Sequence, residues 1–313
     1  MISSVEREVT KEIMRTDVFV KIVSEEHPQE ELKRDLDTCF SMFRAFEARF
    51  SRFIPGNELS VLNAAEEISV SPELFDMLSL SVGYHRGTGG IFDPGIFRIL
   101  VSEGYGESFG ALGFGTVLDM SGDRTSFGAM ELDRERQLVR KPAGLKIDLG
   151  GIGKGYIVDQ VVAFLRVKYR HFVVDAGGDM YCAGADALRG LDAWAIEVED
   201  PADSERSLAM LALSDRAVAT SGTNRRKWAT GTGEKSHLID PKEGKSVTGD
   251  IVSVTVVADS TTDADVYAKV LLIMGAEKGM IFADRERLAA LFAMRDGSVR
   301  KNGRFDGHIW KNI

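Results

Sequence analysis

The chain has 313 residues, 44% hydrophobic and 28% charged, enough apolar material for one large domain or two coupled ones. Its net charge of −9 argues against a nucleic-acid binder, which presents a basic face to phosphate, and leaves only a local basic pocket open. No apolar run approaches the length of a transmembrane helix, and the start, MISSVEREVTKEIM, lacks the apolar core of a signal peptide.

In chain order, Val18–Val23 alternates as a strand. Gln29 to about Phe50 reads as a helix, because Leu32, Leu36, Phe40, Phe43 and Phe50 fall near one face. Pro55 and Gly56 break the chain at Ile54–Asn57, and a second helix runs from about Pro72 to Tyr84, with Pro72 suited to a first-turn position. The polar stretch Gly122–Gly144 reads as a hairpin arm and as the best boundary between two halves. The two cysteines, Cys39 and Cys182, have no metal-ligand spacing and are expected to pack as small apolar residues.

Leu145–Leu165, LKIDLGGIGKGYIVDQVVAFL, is the most informative stretch. An apolar run reads as a strand ending at Asp148. Gly150, Gly151, Gly153 and Gly155 follow, then Val158, Val161, Val162 and Leu165 at helical spacing. Glycines admit φ > 0 and close approach of backbone, and the N–H groups opening a helix favour an anion; Lys154 adds a positive charge. Two readings are open on the glycines alone: a nucleotide pyrophosphate site, or a tight strand-to-helix turn. The spacing is neither GxGxxG nor GxxxxGK[ST], so neither the dinucleotide fold nor the P-loop is supported.

Further on, WAIEVEDP closes a strand at Pro201, and AVATSGTNRR (217–226) runs from a strand into a small-residue loop. SHLIDPKEGKSV carries a DPxxG turn after His237, and Ile251–Gly275 reads as strand, cap and helix. The last 30 residues read as two strands, LAALFAM and a frayed GHIWK.

These segments, with FSRFIPGNELSVLN, GTGGIFDPG and VVDAGGDMYCAG, resemble in content and order the ApbE family of FAD:protein FMN transferases. The resemblance spans about Met14 to Gly275. It implies an α/β or α+β fold with mixed sheets, one ApbE-like domain over 1–313, divisible into 1–120 and 145–313, with a flavin cleft between two coupled subdomains. It also implies transfer of FMN from FAD to a Thr or Ser hydroxyl of a partner flavoprotein subunit, with release of AMP. The alternative of the same fold is an FAD-binding protein or FAD pyrophosphatase; a non-enzymatic interaction module is the reading from another class. Many members are exported lipoproteins. Without a leader or a lipid-accepting Cys near the start, this chain is expected to be cytoplasmic, or exported with its leader removed.

The resemblance carries site residues over by position. Met14, Phe53, Gly104, Tyr105, Gly150, Lys154, Tyr156, Asp179, Thr220, Ser221 and Ile239 stand where flavin contacts are expected. Phe53 reads equally as a core residue at a helix end. His237, in HLIDP, is the candidate proton acceptor, with a structural histidine as the other reading. Asp240 suits an Asx turn before Pro241. Mg²⁺ is expected at Gly153, Asp265 and Ala268, but where the family has a ligating Thr this chain has Lys269. A protonated ammonium has no lone pair for a metal. Three readings stay open: Lys269 supplies the cation's charge itself; metal binding is weakened; or Thr262 and Asp265 form a capping box, with Lys269 a solvated i,i+4 partner of Asp265. A second hydroxyl is missing at Gly95, in Asp93-Pro94-Gly95.

Overall fold

The computed structural model describes residues 5–97, 99, 126–223, 227–230, 233–236, 239–247 and 249–310. The helices are α1 Gln29–Phe50, α2 Glu58–Ala64, α3 Pro72–Gly87, α4 Gly153–Arg166, α5 Thr261–Met274, α6 Ala276–Arg285 and α7 Gly303–Asp306. None of the described helices is long and apolar enough to cross a membrane. The chain divides into two compact units, one from Met1–Glu47, Lys154–Gly222 and Asp250–Ile313, the other from Ala48–Gly153 and Thr223–Gly249.

The first unit is built on an eight-stranded sheet of β1 Val5–Ile13, β2 Thr16–Ser24, β3 His171–Ala176, β4 Met180–Ala183, β5 Arg216–Gly222, β6 Ile251–Ala258, β7 Ala289–Met294 and β8 Val299–Lys301. Spatial order equals chain order, and every neighbouring pair is antiparallel. The α+β alternative therefore describes the arrangement: a meander interrupted by insertions, not a set of parallel crossovers.

Alternation along the strands makes two buried faces. Val23, Val173, Cys182, Val218, Val257 and Leu291 point to one, where the hairpin Trp194–Asp200/Asp203–Leu213 closes a cluster with Trp194, Leu211 and Leu213. Trp194 Nε1 donates to the Ala183 carbonyl at 2.8 Å. Val18, Val20, Ile22, Val174 and Val256 lie on the other face and are buried. There α5 packs on β5 and β6, and α6 on β7. Both cysteines are fully buried, and burial pushes the Cys39 thiol up to about 12, as their reading as apolar packing residues requires.

The second unit carries α2, α3 and a three-stranded sheet of Glu67–Ser69, Leu138–Arg140 and Glu131–Asp133, so the expected hairpin arm is present. Pro72 opens α3 with Ser71 as its cap, the Ser71 hydroxyl accepting from Leu74 N at 3.2 Å.

Three expectations change. Leu145–Asp148 is not a strand: the Asn63 side chain accepts from Ile147 N at 2.7 Å and donates to Ile147 O at 2.9 Å. One side-chain amide thus makes both bonds that a neighbouring strand would make. Near the C-terminus the second strand is Val299–Lys301, and α7 follows it. Among the described residues, 307–310 form a bridge, Leu211 with Ile309, in which Ala212 N donates to His308 O and Trp310 N to Met210 O, both at 2.8 Å. The helix α6, between Gly275 and the LAALFAM strand, was not expected.

A close backbone contact in the first unit lies where α4 and α5 begin. A Cβ on Gly155 would sit 2.6 Å from Thr261 O and 2.7 Å from Thr262 Cα, both backbone atoms. Asp159, one turn further along α4, accepts from Thr261 N at 2.8 Å, Thr262 N at 2.9 Å and Thr262 Oγ1 at 2.5 Å. Gly155→Ala is expected to lower stability by about 1–3 kcal/mol, because the backbone must separate. Urea denaturation checks this, and an unchanged midpoint would contradict the close approach.

Candidate functional site

The glycine segment does not behave as a cradle of free N–H groups. Gly150, Gly151, Gly153 and Gly155 are absent from the positive-φ positions; left-handed glycines occur instead at Gly177 (φ 70°) and Gly178 (φ 92°) of the AGGD turn. Ile152 N and Gly153 N both donate to Leu149 O, at 3.1 and 2.7 Å. Gly150 N donates to Asp148 Oδ1 at 2.8 Å, and the other Asp148 oxygen pairs with Arg52. Gly155 N donates to Asp265 Oδ2 at 3.3 Å. These donors are spent on the fold, so an anion at this helix start must be met largely by side-chain charge.

That charge is close by. Lys154, in the first turn of α4, pairs with Asp179, which the AGGD turn places at the start of β4. Asp175 Oδ1 accepts from Gly178 N at 2.7 Å, and Ala176 N donates to Asp179 O at 3.0 Å, which fixes the turn. On α5, Lys269 Nζ pairs with Asp265 Oδ1 and donates to Asp265 O at 3.1 Å. The two pairs act on one another: burial raises the Asp179 carboxyl, the Asp265 charge raises it further, and the Lys154 and Lys269 ammoniums pull it down. The side chains are layered. Asp179 and Asp265 are 3% and 2% exposed, Lys154 and Lys269 22% and 16%, so the lysine side chain is the more exposed member of each pair.

The start of α5 settles the capping question. Ser260 is the N-cap: its hydroxyl accepts from Asp263 N at 3.0 Å and donates to Asp263 Oδ2 at 2.7 Å. The box is Ser260–Asp263, not Thr262–Asp265, because Thr262 is already held by Asp159. Asp265 is thereby released to face Gly155 and Lys269. Asp159 was not singled out from the sequence; its only signal there is its place one turn after Gly155.

The other expected residues are more scattered. Thr220, Ser221 and Gly222 lie inside β5, paired with Thr255, Val254 and Ser253, rather than in a loop. Thr220 is exposed and bonds the Thr255 hydroxyl at 2.9 Å, while Ser221 is buried, so strand alternation points the two hydroxyls to opposite faces. Met14 is half-buried in the β1–β2 turn at φ 58°. Tyr156 is buried in the first unit, its ring 6.2 Å from Phe46. Ala268 is fully buried within α5 and has no side-chain donor atom. In the second unit, Phe53 is half-buried beyond α1, with the Arg52 guanidinium 4.7 Å from its ring centre. Ile239 is buried in the short hairpin Ile239–Asp240/Lys245–Ser246, whose turn Asp240 closes by accepting from Lys242 N at 2.8 Å. Gly104, Tyr105 and His237 lie outside the described residues. The hydroxyl missing at Gly95 has a packing reason: a Cβ there would stand 3.0 Å from Leu145 Cδ1 and 3.2 Å from Phe127 Cβ.

The donor set does not fit a divalent cation as it stands. Asp265 Oδ1 and O are both taken by Lys269, Oδ2 by Gly155 N–H, and Asp179 is paired with Lys154. Among the described residues no group of three or more His, Cys, Asp or Glu could hold a metal ion.

A family model described as the ApbE family matches residues 14–292. An FAD:protein FMN transferase of Vibrio cholerae is 28% identical over 253 residues, covering 79% of this chain and 75% of the relative. One from Escherichia coli K12 is 24% identical over 281 residues, covering 87% and 79%. The crystal structure of the ApbE protein of Thermotoga maritima superposes with a TM-score of 0.85 at 22% identity, over 98% of this chain and 100% of that one. Flavinyl transferase ApbE of Pseudomonas stutzeri gives 0.84 at 22% identity, over 99% and 98%. At that identity the structural likeness speaks for the fold.

Lys154→Met strands the Asp179 carboxylate. The expected loss is about 2–4 kcal/mol, somewhat below that for a fully buried pair because Lys154 is partly exposed. Asp179 already titrates above an ordinary Asp. Its ionised form therefore opposes folding, and the loss is expected to be larger at about pH 8 than at about pH 5. Lys154→Met/Asp179→Asn recovers part of the stability. Denaturation at both pH values checks this, and a pH-independent loss would contradict the pairing.

Proposed function

This chain belongs to the ApbE family, and from that premise we propose that it is an FAD:protein FMN transferase, with the Asp179–Lys154 and Asp265–Lys269 cluster at its phosphate site. The observation that carries the reading is that cluster at the start of α4, two lysines paired with two buried carboxylates and each more exposed than its partner. Transfer of a phosphoryl group asks for positioning and positive charge rather than for covalent chemistry from the protein. The substrates are FAD and an acceptor flavoprotein that offers a Thr or Ser hydroxyl.

In the reaction, the acceptor hydroxyl oxygen bonds to the phosphorus on the FMN side of the FAD pyrophosphate. The bond from that phosphorus to the bridging oxygen breaks, and AMP departs with the bridging oxygen and its electron pair. The hydroxyl proton passes to a base, for which the HLIDP motif supplies His237, an imidazole of suitable range near neutral pH. Asp240 closes the turn after that motif by accepting from Lys242 N at 2.8 Å. Lys154 and Lys269 balance the charge gathering on the phosphoryl oxygens, and Asp179 and Asp265 hold both ammoniums in place. Phe53 stands where the family resemblance implies an aromatic that stacks on the isoalloxazine. Mg²⁺, which the family resemblance implies, would need Lys269 to leave Asp265.

Mass spectrometry of an acceptor domain incubated with this protein and FAD is expected to show a gain of one FMN on a Thr or Ser, with AMP released. His237→Ala is expected to slow labelling by about 10²–10⁴-fold and to leave FAD binding intact. Release of free FMN and AMP with an unlabelled acceptor would contradict the transferase reading.

A further inference from the structure

Asp265 is the only acidic side chain of α5 that is both fully inside the helix and nearly without solvent contact, and each of its oxygens already has a donor. Lys269 Nζ bonds Oδ1 and the main-chain carbonyl of the same residue. An ammonium has three N–H donors, so two are spent on Asp265 and the third is left for an anion. The Lys269 side chain is 16% exposed, against 2% for Asp265, so it is the more exposed member of the pair. Lys154 pairs with Asp179 and is likewise the more exposed member of its pair. A divalent cation binding Asp265 would have to displace a covalently tethered positive charge that is already at the carboxylate, with no change in ligand number to favour it.

We infer that the Lys269 ammonium is the resident cation of this site, and that FAD binding and FMN transfer proceed without a divalent metal. The inference rests on the FMN-transferase reading above and deepens it by naming what neutralises the pyrophosphate. In the transfer step no proton or electron moves to or from Lys269: the acceptor oxygen bonds to phosphorus, the bridging oxygen leaves with AMP, and the ammonium stays protonated throughout. Its contribution is one charge-assisted hydrogen bond to a phosphoryl oxygen, with Asp265 fixing where the charge stands.

The test is equilibrium binding of FAD to the full-length protein, followed by flavin fluorescence, in EDTA and in excess Mg²⁺, with Mn²⁺ electron paramagnetic resonance on the same samples. For the native protein the dissociation constant is expected to differ by less than about twofold between the two conditions, with no Mn²⁺ retained in the presence of FAD. Lys269→Met is expected to weaken FAD binding about tenfold to a hundredfold, the loss of one hydrogen bond from a charged donor. Lys269→Thr removes the tethered charge and adds a hydroxyl oxygen; it is expected to bind FAD weakly in EDTA, to recover in Mg²⁺ and to retain Mn²⁺. Circular dichroism reports whether each variant folds, and Asp265→Asn/Lys269→Met, which leaves no buried charge unpaired, replaces Lys269→Met if that variant does not.

FAD bound by the native protein only in Mg²⁺, or Mn²⁺ retained with FAD, overturns the inference and leaves the transferase reading standing. The same holds if the charge-neutral variants bind FAD like the native protein. No FAD binding in either condition overturns both.

Discussion

The near contact of two helix starts controls the rest of this molecule. At Gly155 the backbone of α4 passes so close to Thr261 and Thr262 that no side chain fits between them. Asp159 then closes the contact by capping α5 with one carboxylate, bonded to two backbone N–H groups and one hydroxyl. Because burial raises the Asp159 carboxyl while those bonds lower it, the cap is a compromise between desolvation and hydrogen bonding, with desolvation the larger. With the helices held this way, Asp265 meets the Gly155 N–H and Lys269 is turned outward one helical turn on.

The electrostatic consequence is a compact group of two carboxylates and two ammoniums. Isolated buried charges cost several kcal/mol each in a protein interior, and pairing offsets that cost without removing it. The group is therefore weak evidence for stability, and its layering is better evidence for recognition. Lysines more exposed than the carboxylates they pair with suit an anion arriving from solvent. The main chain at the start of α4 contributes less than its glycines suggest, because Leu149 O, Asp148 and Asp265 consume its donors.

Much of the fold was legible from residue spacing. The aromatic stripe of α1, Pro72 at the start of α3, the helical apolar positions of α4 and the strand–cap–helix run from Ile251 all carry local signals that tertiary packing reinforces. What was misread depended on distant partners. An apolar run at Leu145–Asp148 looks like a strand until Asn63 takes the place of a neighbour. Glycine for left-handed backbone and glycine for close packing are the same letter, and only Thr261 across the interface distinguishes them at Gly155. In the site, Asp265 and Lys269 are one helical turn apart and could be paired from sequence. Lys154 and Asp179 come together only through β3 and the AGGD turn, and Asp159 reads as an ordinary helix acid. Thr220 and Ser221 look like one motif, and β5 sends them apart.

The central claim is that the phosphate-binding charge of this ApbE-family protein is carried by its own lysines. The most direct test is a crystal structure of the FAD complex grown in EDTA. The pyrophosphate is expected at the start of α4, with Lys269 Nζ and Lys154 Nζ each about 2.7–2.9 Å from a phosphoryl oxygen and Asp265 still bonded to Lys269. A pyrophosphate bound away from both lysines, or Lys269 swung off Asp265 with a metal ion in its place, would contradict it.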